Sequence, residues 1–254
     1  MNGYRGVIPG VFTLGNLFCG FASILTSIRG AHPTEAAWMI VFAAFFDFLD
    51  GLVARLAKSA SRFGVEFDSL CDIVSFGVAP AAMLYSFKMV ELGNWGWVLG
   101  FIFITAGAFR LARFNITAKI ETKSNFIGLP LPAAALGLAS FVIFCDHFWG
   151  AIRLDSILYV MVIAYSALMV STIEFESMPS FDISISRNRV KILSLVAISL
   201  LLLIKTKLML FPILVLYAFS GPLRLIVGLI NSSVRRELLR PRNLFKKDDS
   251  RKAS

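Results

Sequence analysis

Long apolar runs separated by short polar, often basic, stretches set the pattern of this chain. Eight runs come near the ~20 residues a helix needs to cross bilayer hydrocarbon. They lie at about 7–28, 34–57, 68–90, 95–114, 131–149, 154–172, 191–206 and 208–230. The pattern predicts an all-α fold, a polytopic membrane helical bundle of about eight transmembrane helices. The first run lacks an A-x-A-like cleavage site and is followed by further spans, so it is expected to be a retained helix rather than a signal peptide. The longest polar segment is the C-terminal tail, which leaves no room for a folded soluble domain. The expected organisation is a transmembrane domain over 1–230 and a basic cytoplasmic tail over 231–254. No internal repeat or low-complexity linker interrupts it.

Composition agrees with the pattern. Of 254 residues, 57% are hydrophobic and 16% charged, with a mean hydropathy of +0.76. Soluble domains carry about 25% charged residues. The basic residues then fix orientation. Arg5, the 2–3 loop (Arg55, Lys58, Arg62), the 4–5 loop (Arg110, Arg113, Lys119, Lys123), the 6–7 loop (Arg187, Arg189, Lys191) and the tail together place 19 Lys and Arg on one side. The other side has five (Arg29, Lys88, Arg153, Lys205, Lys207), and Arg224 lies inside the last run. The positive-inside bias puts both termini in the cytoplasm of a cell (inner) membrane protein. Orientation and attraction to anionic membrane lipids account for the net charge of +9 without a nucleic-acid partner.

Cys19, Cys71 and Cys145 fall inside predicted spans at spacings that match neither a disulfide framework nor a zinc site, and read as small apolar filler. His32 and His147 fall on the outer side and receive no role.

Four aspartates interrupt this apolar background: Asp47-x2-Asp50-Gly51-x2-Ala54-Arg55-x8-Gly64-x3-Asp68-x3-Asp72. Spacings of three and four share a helix face, so Asp47 pairs with Asp50 on one helix and Asp68 with Asp72 on the next. A carboxylate at the centre of a membrane helix costs roughly 2.5–3.5 kcal/mol, so four bare ones approach about 10 kcal/mol before repulsion is counted. Divalent cations neutralise such a cluster best, because hard oxygen ligands suit Mg²⁺, Mn²⁺ or Ca²⁺. Four carboxylates on two facing helices suit a pair of ions about 4 Å apart, which can clamp both oxygens of a phosphoryl displacement. A carboxylate less tied to metal can accept a proton from an incoming hydroxyl. Gly51, Ala54 and Gly64 are small and let a ligand or a partner helix approach the backbone. Arg55, nearer the water, suits a phosphate. The bland alternative is a set of helix-end carboxylates solvated or paired with Arg55, Lys58 and Arg62.

The spacing resembles the signature of the CDP-alcohol phosphotransferases, which displace CMP from a CDP-linked lipid with an alcohol, and it matches without a gap. The resemblance implies that Asp47, Asp50 and Asp68 are metal ligands and that Asp72 is both a ligand and the proton acceptor. It implies contacts from Asp50, Gly51, Ala54, Arg55, Ser61 and Gly64 to the CDP-lipid, two Mg²⁺ or Mn²⁺ ions per site, and a homodimer. Upstream, Pro9-Gly10-Val11-Phe12-Thr13-Leu14-Gly15-Asn16-Leu17 resembles the first-helix segment that helps hold the nucleotide, with Gly10 where that segment has Asn. Thr13 and Asn16 are its remaining polar positions, and polar helix–helix packing is the other reading for both.

Three further stretches narrow the acceptor. Ser75-Phe76-Gly77-Val78-Ala79-Pro80-Ala81, Arg110-Leu111-Ala112-Arg113-Phe114-Asn115 and Phe126-Ile127-Gly128-Leu129-Pro130-Leu131-Pro132-Ala133-Ala134 resemble the bacterial integral-membrane phosphatidylserine synthase branch. That branch implies CDP-diacylglycerol and L-serine as substrates. Arg110 and Arg113, one turn apart and level with the aspartates, suit a carboxylate or a phosphate, while membrane anchoring is the alternative. Gly128, Pro130 and Pro132 fit either substrate contact or a simple loop-to-helix entry. Glycerol 3-phosphate as acceptor keeps the same chemistry. A divalent-cation transporter is the rival of another class, but repeats and broken helices, its usual marks, are missing.

Overall fold

The computed structural model describes residues 7–57, 62–117, 126–152, 154–175 and 206–225. Several expectations therefore lie outside the described residues: Ser61, most of the predicted seventh span, the tail, and much of the 4–5 and 6–7 loops. The backbone of Arg55 is described, but its side chain is not.

The chain builds α1 (Val7–Ile28), α2 (Pro33–Ala57), α3 (Arg62–Asp72), a π-helical segment (Ile73–Val78), α4 (Ala79–Phe87), a 3₁₀ turn (Met89–Leu92), α5 (Asn94–Thr117), α6 (Leu131–Trp149), α7 (Asp155–Val170) and α8 (Thr206–Leu225). Two-residue strands β1 (Phe126–Ile127) and β2 (Glu174–Phe175) pair antiparallel, Phe126 opposite Phe175. Six of the described helical runs are long and apolar enough to cross a membrane, and α7 is a shorter apolar helix. The fold is a polytopic helical bundle, as the hydropathy pattern predicts. The third run begins at Arg62 rather than 68, because Arg62, Glu66 and Asp68 dilute its apolar signal without interrupting its backbone hydrogen bonding.

Local chemistry sets the turns. The α1–α2 connection closes on Gly30 at φ +64°, with Gly30 N–H donating to the Ser27 carbonyl and Ala31 N–H to the Thr26 carbonyl. That is a Schellman ending, which favours glycine at the left-handed residue. Pro33 opens α2, where its missing N–H costs nothing, and Glu35 complements the positive helix end. The short turn makes α1 and α2 an antiparallel hairpin. That hairpin packs along α3, the π segment and α4, while α2 also meets α6 and α5 meets α7.

The core is apolar and tightly filled. Ile40, Phe76, Met83, Phe103, Leu131, Leu138 and Phe141 are buried within it. Large apolar side chains also cover the outside, Phe18 at 70% and Phe101 at 64% exposed among them. In water such a surface is an association hazard; against lipid tails it is the solvated face. Trp95 and Trp97 at the start of α5 and Trp149 at the end of α6 are exposed at one end of the bundle, as membrane-interface aromatics are. Polar pairs gather there too: His32 Nε2 with Asp146 at 3.4 Å, and Lys88 Nζ with Asp155 at 3.1 Å.

Candidate active site

The aspartates lie toward the other end of α2 and α3. Asp47 stands ten residues before the end of α2, and Asp72 ten residues after the start of α3. At 1.5 Å per residue each lies about 15 Å in from the connection between the helices. Asp50 and Asp68 sit seven and six residues from the same ends, so the two pairs occupy matching depths. The fold brings the two helices' carboxylates together. Ligand oxygens of Asp47, Asp68 and Asp72 all lie within 4.8 Å of one another. Asp50 and Asp72 are buried, while Asp47 and Asp68 are half-buried.

α1 supplies the hydrogen bonds that orient two of them. Thr13 Oγ1 donates to Asp50 Oδ2 at 2.7 Å, and Asn16 Nδ2 donates to Asp72 Oδ1 at 3.0 Å. Positions three apart on α1 thus reach one aspartate on each stripe. Among the described residues, Asp50 Oδ1 and Asp68 Oδ1 are buried with no hydrogen-bond partner. Buried carboxylate oxygens without a donor are costly, and a hard divalent cation satisfies them without supplying a proton. The residues present therefore fit a divalent-metal group. Gly51 and Ala54 are half-buried beside them, and Gly64 is exposed.

Arg110 on α5 is buried, its guanidinium carbon 5.5 Å from the centre of the Phe114 ring. Its charge acts on Asp72, and its Nε has no partner among the described residues. Arg113 is used differently. Its Nη1 donates to the Val170 carbonyl at 3.0 Å, and its Nη2 to Ile127, Met169 and Ser171 carbonyls at 2.9–3.1 Å. These include the last carbonyls of α7, which a helix leaves without internal donors. One guanidinium thus ties α5, the β1 segment and α7 together, and the acceptor role envisaged for both arginines rests on Arg110.

Gly128 is part of the same junction. Its φ is +80°, and a Cβ there would meet the Met169 carbonyl oxygen at 2.5 Å and Arg113 Nη2 at 2.6 Å. Its N–H donates to the Ile173 carbonyl at 2.8 Å, and Pro132 falls in the first turn of α6. The Gly-Leu-Pro stretch is accordingly a loop-to-helix entry in this structure. Gly128→Ala is expected to lower the melting temperature of the detergent-solubilised protein, with about 1–3 kcal/mol lost to backbone strain alone. A melting temperature unchanged from the parent would show that the junction yields.

Two features had only faint sequence signals. Asn115 on α5 donates to Ser69 Oγ at 3.0 Å and to Glu66 Oε2 at 3.3 Å, joining α5 to α3 beside Asp68. Ser75, buried, donates to the Asn16 carbonyl at 3.0 Å. Both are polar residues inside motifs otherwise read for their resemblance, and only the fold names their partners.

The model of the CDP-alcohol phosphatidyltransferase family matches residues 6–173, which covers every residue of this site that the structure describes. The chain belongs to the CDP-alcohol phosphatidyltransferase family. Its relatives include CDP-diacylglycerol–serine O-phosphatidyltransferase of Helicobacter pylori, 36% identical over 171 residues, 66% of this chain and 71% of that protein. Archaetidylserine synthase of Methanothermobacter thermautotrophicus is 36% identical over 170 residues, 66% of this chain and 69% of its own length. The Bacillus subtilis CDP-diacylglycerol–serine O-phosphatidyltransferase is 34% identical over 157 residues, 61% of this chain and 86% of that protein. This member of the family is an enzyme whose matched region ends just after α7, so α8 lies beyond it.

Proposed function

We propose that this phosphatidyltransferase moves the phosphatidyl group of CDP-diacylglycerol to the hydroxyl of L-serine, giving phosphatidylserine and CMP. The observation that carries the reading is the meeting of Asp47, Asp68 and Asp72 within 4.8 Å, beside orphaned oxygens of Asp50 and Asp68. The names of the relatives, all containing serine, support that acceptor.

In this reading the serine oxygen attacks the phosphorus that bears diacylglycerol. A new P–O bond forms as the bond to CMP breaks, and CMP leaves with the electron pair. Asp72 takes the hydroxyl proton and later passes it to water. Asn16 holds one Asp72 oxygen, which leaves the other to face the nucleophile. Asp47, Asp50, Asp68 and Asp72 would hold two divalent ions, Mg²⁺ or Mn²⁺, with Ca²⁺ also compatible with their oxygen donors. When bound, such ions neutralise charge on the pyrophosphate and on the departing CMP. Gly51, Ala54 and Gly64 leave room for the CDP-lipid, Arg55 and Ser61 meet its phosphates, and Thr13 and Asn16 lie on the nucleotide side. Arg110 faces the serine carboxylate, with its unpartnered Nε as donor.

The basic-residue bias supports a site and both termini on the cytoplasmic side of the inner membrane. Residues 1–230 then form the catalytic domain, the 231–254 tail lies on anionic lipid, and the enzyme works as a homodimer.

Purified protein given labelled CDP-diacylglycerol is expected to release CMP with L-serine at least about 100-fold faster than with glycerol 3-phosphate, the scale at which a site built for one polar partner rejects another. Faster turnover with glycerol 3-phosphate would overturn the acceptor. No CMP release with either, together with divalent-ion flux in sealed vesicles, would overturn the reaction.

A further inference from the structure

Ser75 is buried completely, takes no part in the reaction just described, and lies three residues beyond Asp72 in the π-helical segment. Serines within helices commonly satisfy their hydroxyl on a carbonyl one turn back. Ser27, Ser69 and Ser166 do so here, donating to Ser23, Val65 and Val162. Ser75 instead reaches across to another helix, where its Oγ donates to the Asn16 carbonyl at 3.0 Å. Asn16, also fully buried, donates its amide to Asp72 Oδ1 at 3.0 Å. Asp72, Asn16 and Ser75 thus close a ring through the backbone of residues 72–75.

The two backbones touch at the same level. Gly20 lies one turn after Asn16, and a Cβ on it would fall 2.6 Å from Ser75 Cα. No side chain fits between α1 and the π segment there. Contact of that kind limits the separation of the helices, and the Ser75 hydroxyl ties the α1 backbone at Asn16 to the π segment.

We propose that Ser75 is a positioning residue for the transfer reaction, acting through Asn16 to aim the Asp72 carboxylate. The role rests on the reading that Asp72 takes the acceptor proton. A side chain that only fills space would affect folding and substrate binding alike. One that aims Asp72 affects the chemical step, and only while the Asn16 amide is present to pass its influence on.

A double-mutant cycle separates the two. Ser75→Ala is expected to lower kcat about 10-fold, the upper end of what one neutral hydrogen bond accounts for, with KM for CDP-diacylglycerol changed less than about 2-fold. In an Asn16→Ala background the same substitution is expected to cost nothing further. Ser75→Cys keeps the volume with a weaker donor and is expected to fall between the parent and Ser75→Ala. It also tests the role if the alanine variant fails to fold. An unchanged kcat in Ser75→Ala or Ser75→Cys, or an equal loss in both backgrounds, would overturn the role. Asp72→Asn is assayed alongside. Full turnover there sinks the assignment of Asp72 itself, whereas an inactive Asp72→Asn with additive losses sinks only Ser75.

Discussion

Replacing Asp72 with asparagine is expected to lower CMP release by at least about 10³-fold while CDP-diacylglycerol binding stays within a few-fold. The amide has the size of the carboxylate, and its oxygen can still accept the Asn16 N–H that reaches Asp72 Oδ1. Packing around this buried position therefore persists. What disappears is the ability to take a proton. General-base catalysis contributes about 10²–10⁴-fold, and an alcohol is too weak an acid to ionise unaided. The carboxylate charge that would help hold the ions is lost in the same step, which adds to the defect. Single-turnover CMP release and equilibrium binding of the CDP-lipid, measured on one preparation, separate chemistry from affinity. A variant retaining a tenth of parental turnover would remove Asp72 from its role as base.

Chelation is expected to produce an equally deep loss. Stripping divalent ions from the purified enzyme should reduce CMP release to the uncatalysed background, and adding Mg²⁺ or Mn²⁺ should restore it. The reason lies in the geometry of the aspartates. When ionised, two carboxylates within 4.8 Å repel by about 3 kcal/mol or more at an effective dielectric near 20, and three meet at that range. Cations reverse the sign of that interaction. Ion binding should also raise the melting temperature, since a ligand at 100 times its Kd stabilises the folded state by about 2.7 kcal/mol. Asp68→Asn, which removes a carboxylate with an orphaned oxygen, should raise the ion concentration needed for both effects. Turnover unaffected by exhaustive chelation would refute the metal-assisted reading.

Much of this was legible in the chain because its signals are local. Hydropathy marks spans one at a time, and the described helices follow the first six predicted runs to within six residues at their ends and the eighth as far as residue 225. The aspartate spacing also carries its own meaning, since intervals of three and four on consecutive helices leave the carboxylates only one way to meet. Partnerships between distant segments were less legible. Thr13 and Asn16 had two readings, and only the packing of α1 against α2 and α3 places their hydrogens on Asp50 and Asp72. Arg110 and Arg113 look equivalent one turn apart, yet the charge of one acts on Asp72 and the other caps α7. A difference of about 60° around a helix decides which neighbour a side chain meets, and a single sequence does not reveal which neighbour stands there.

The widened turn at Ile73–Val78 has a wider consequence. An unbroken α-helix advances 100° per residue, so its two ends cannot be oriented independently. One over-wide turn inserts an angular offset between Asp68 and Asp72 on one side and the anchoring Met83 and Leu84 on the other. The half that carries chemistry and the half that anchors in the bundle each keep their own azimuth. The offset lets the carboxylates turn toward their counterpart on α2 while Met83 and Leu84 stay in the core.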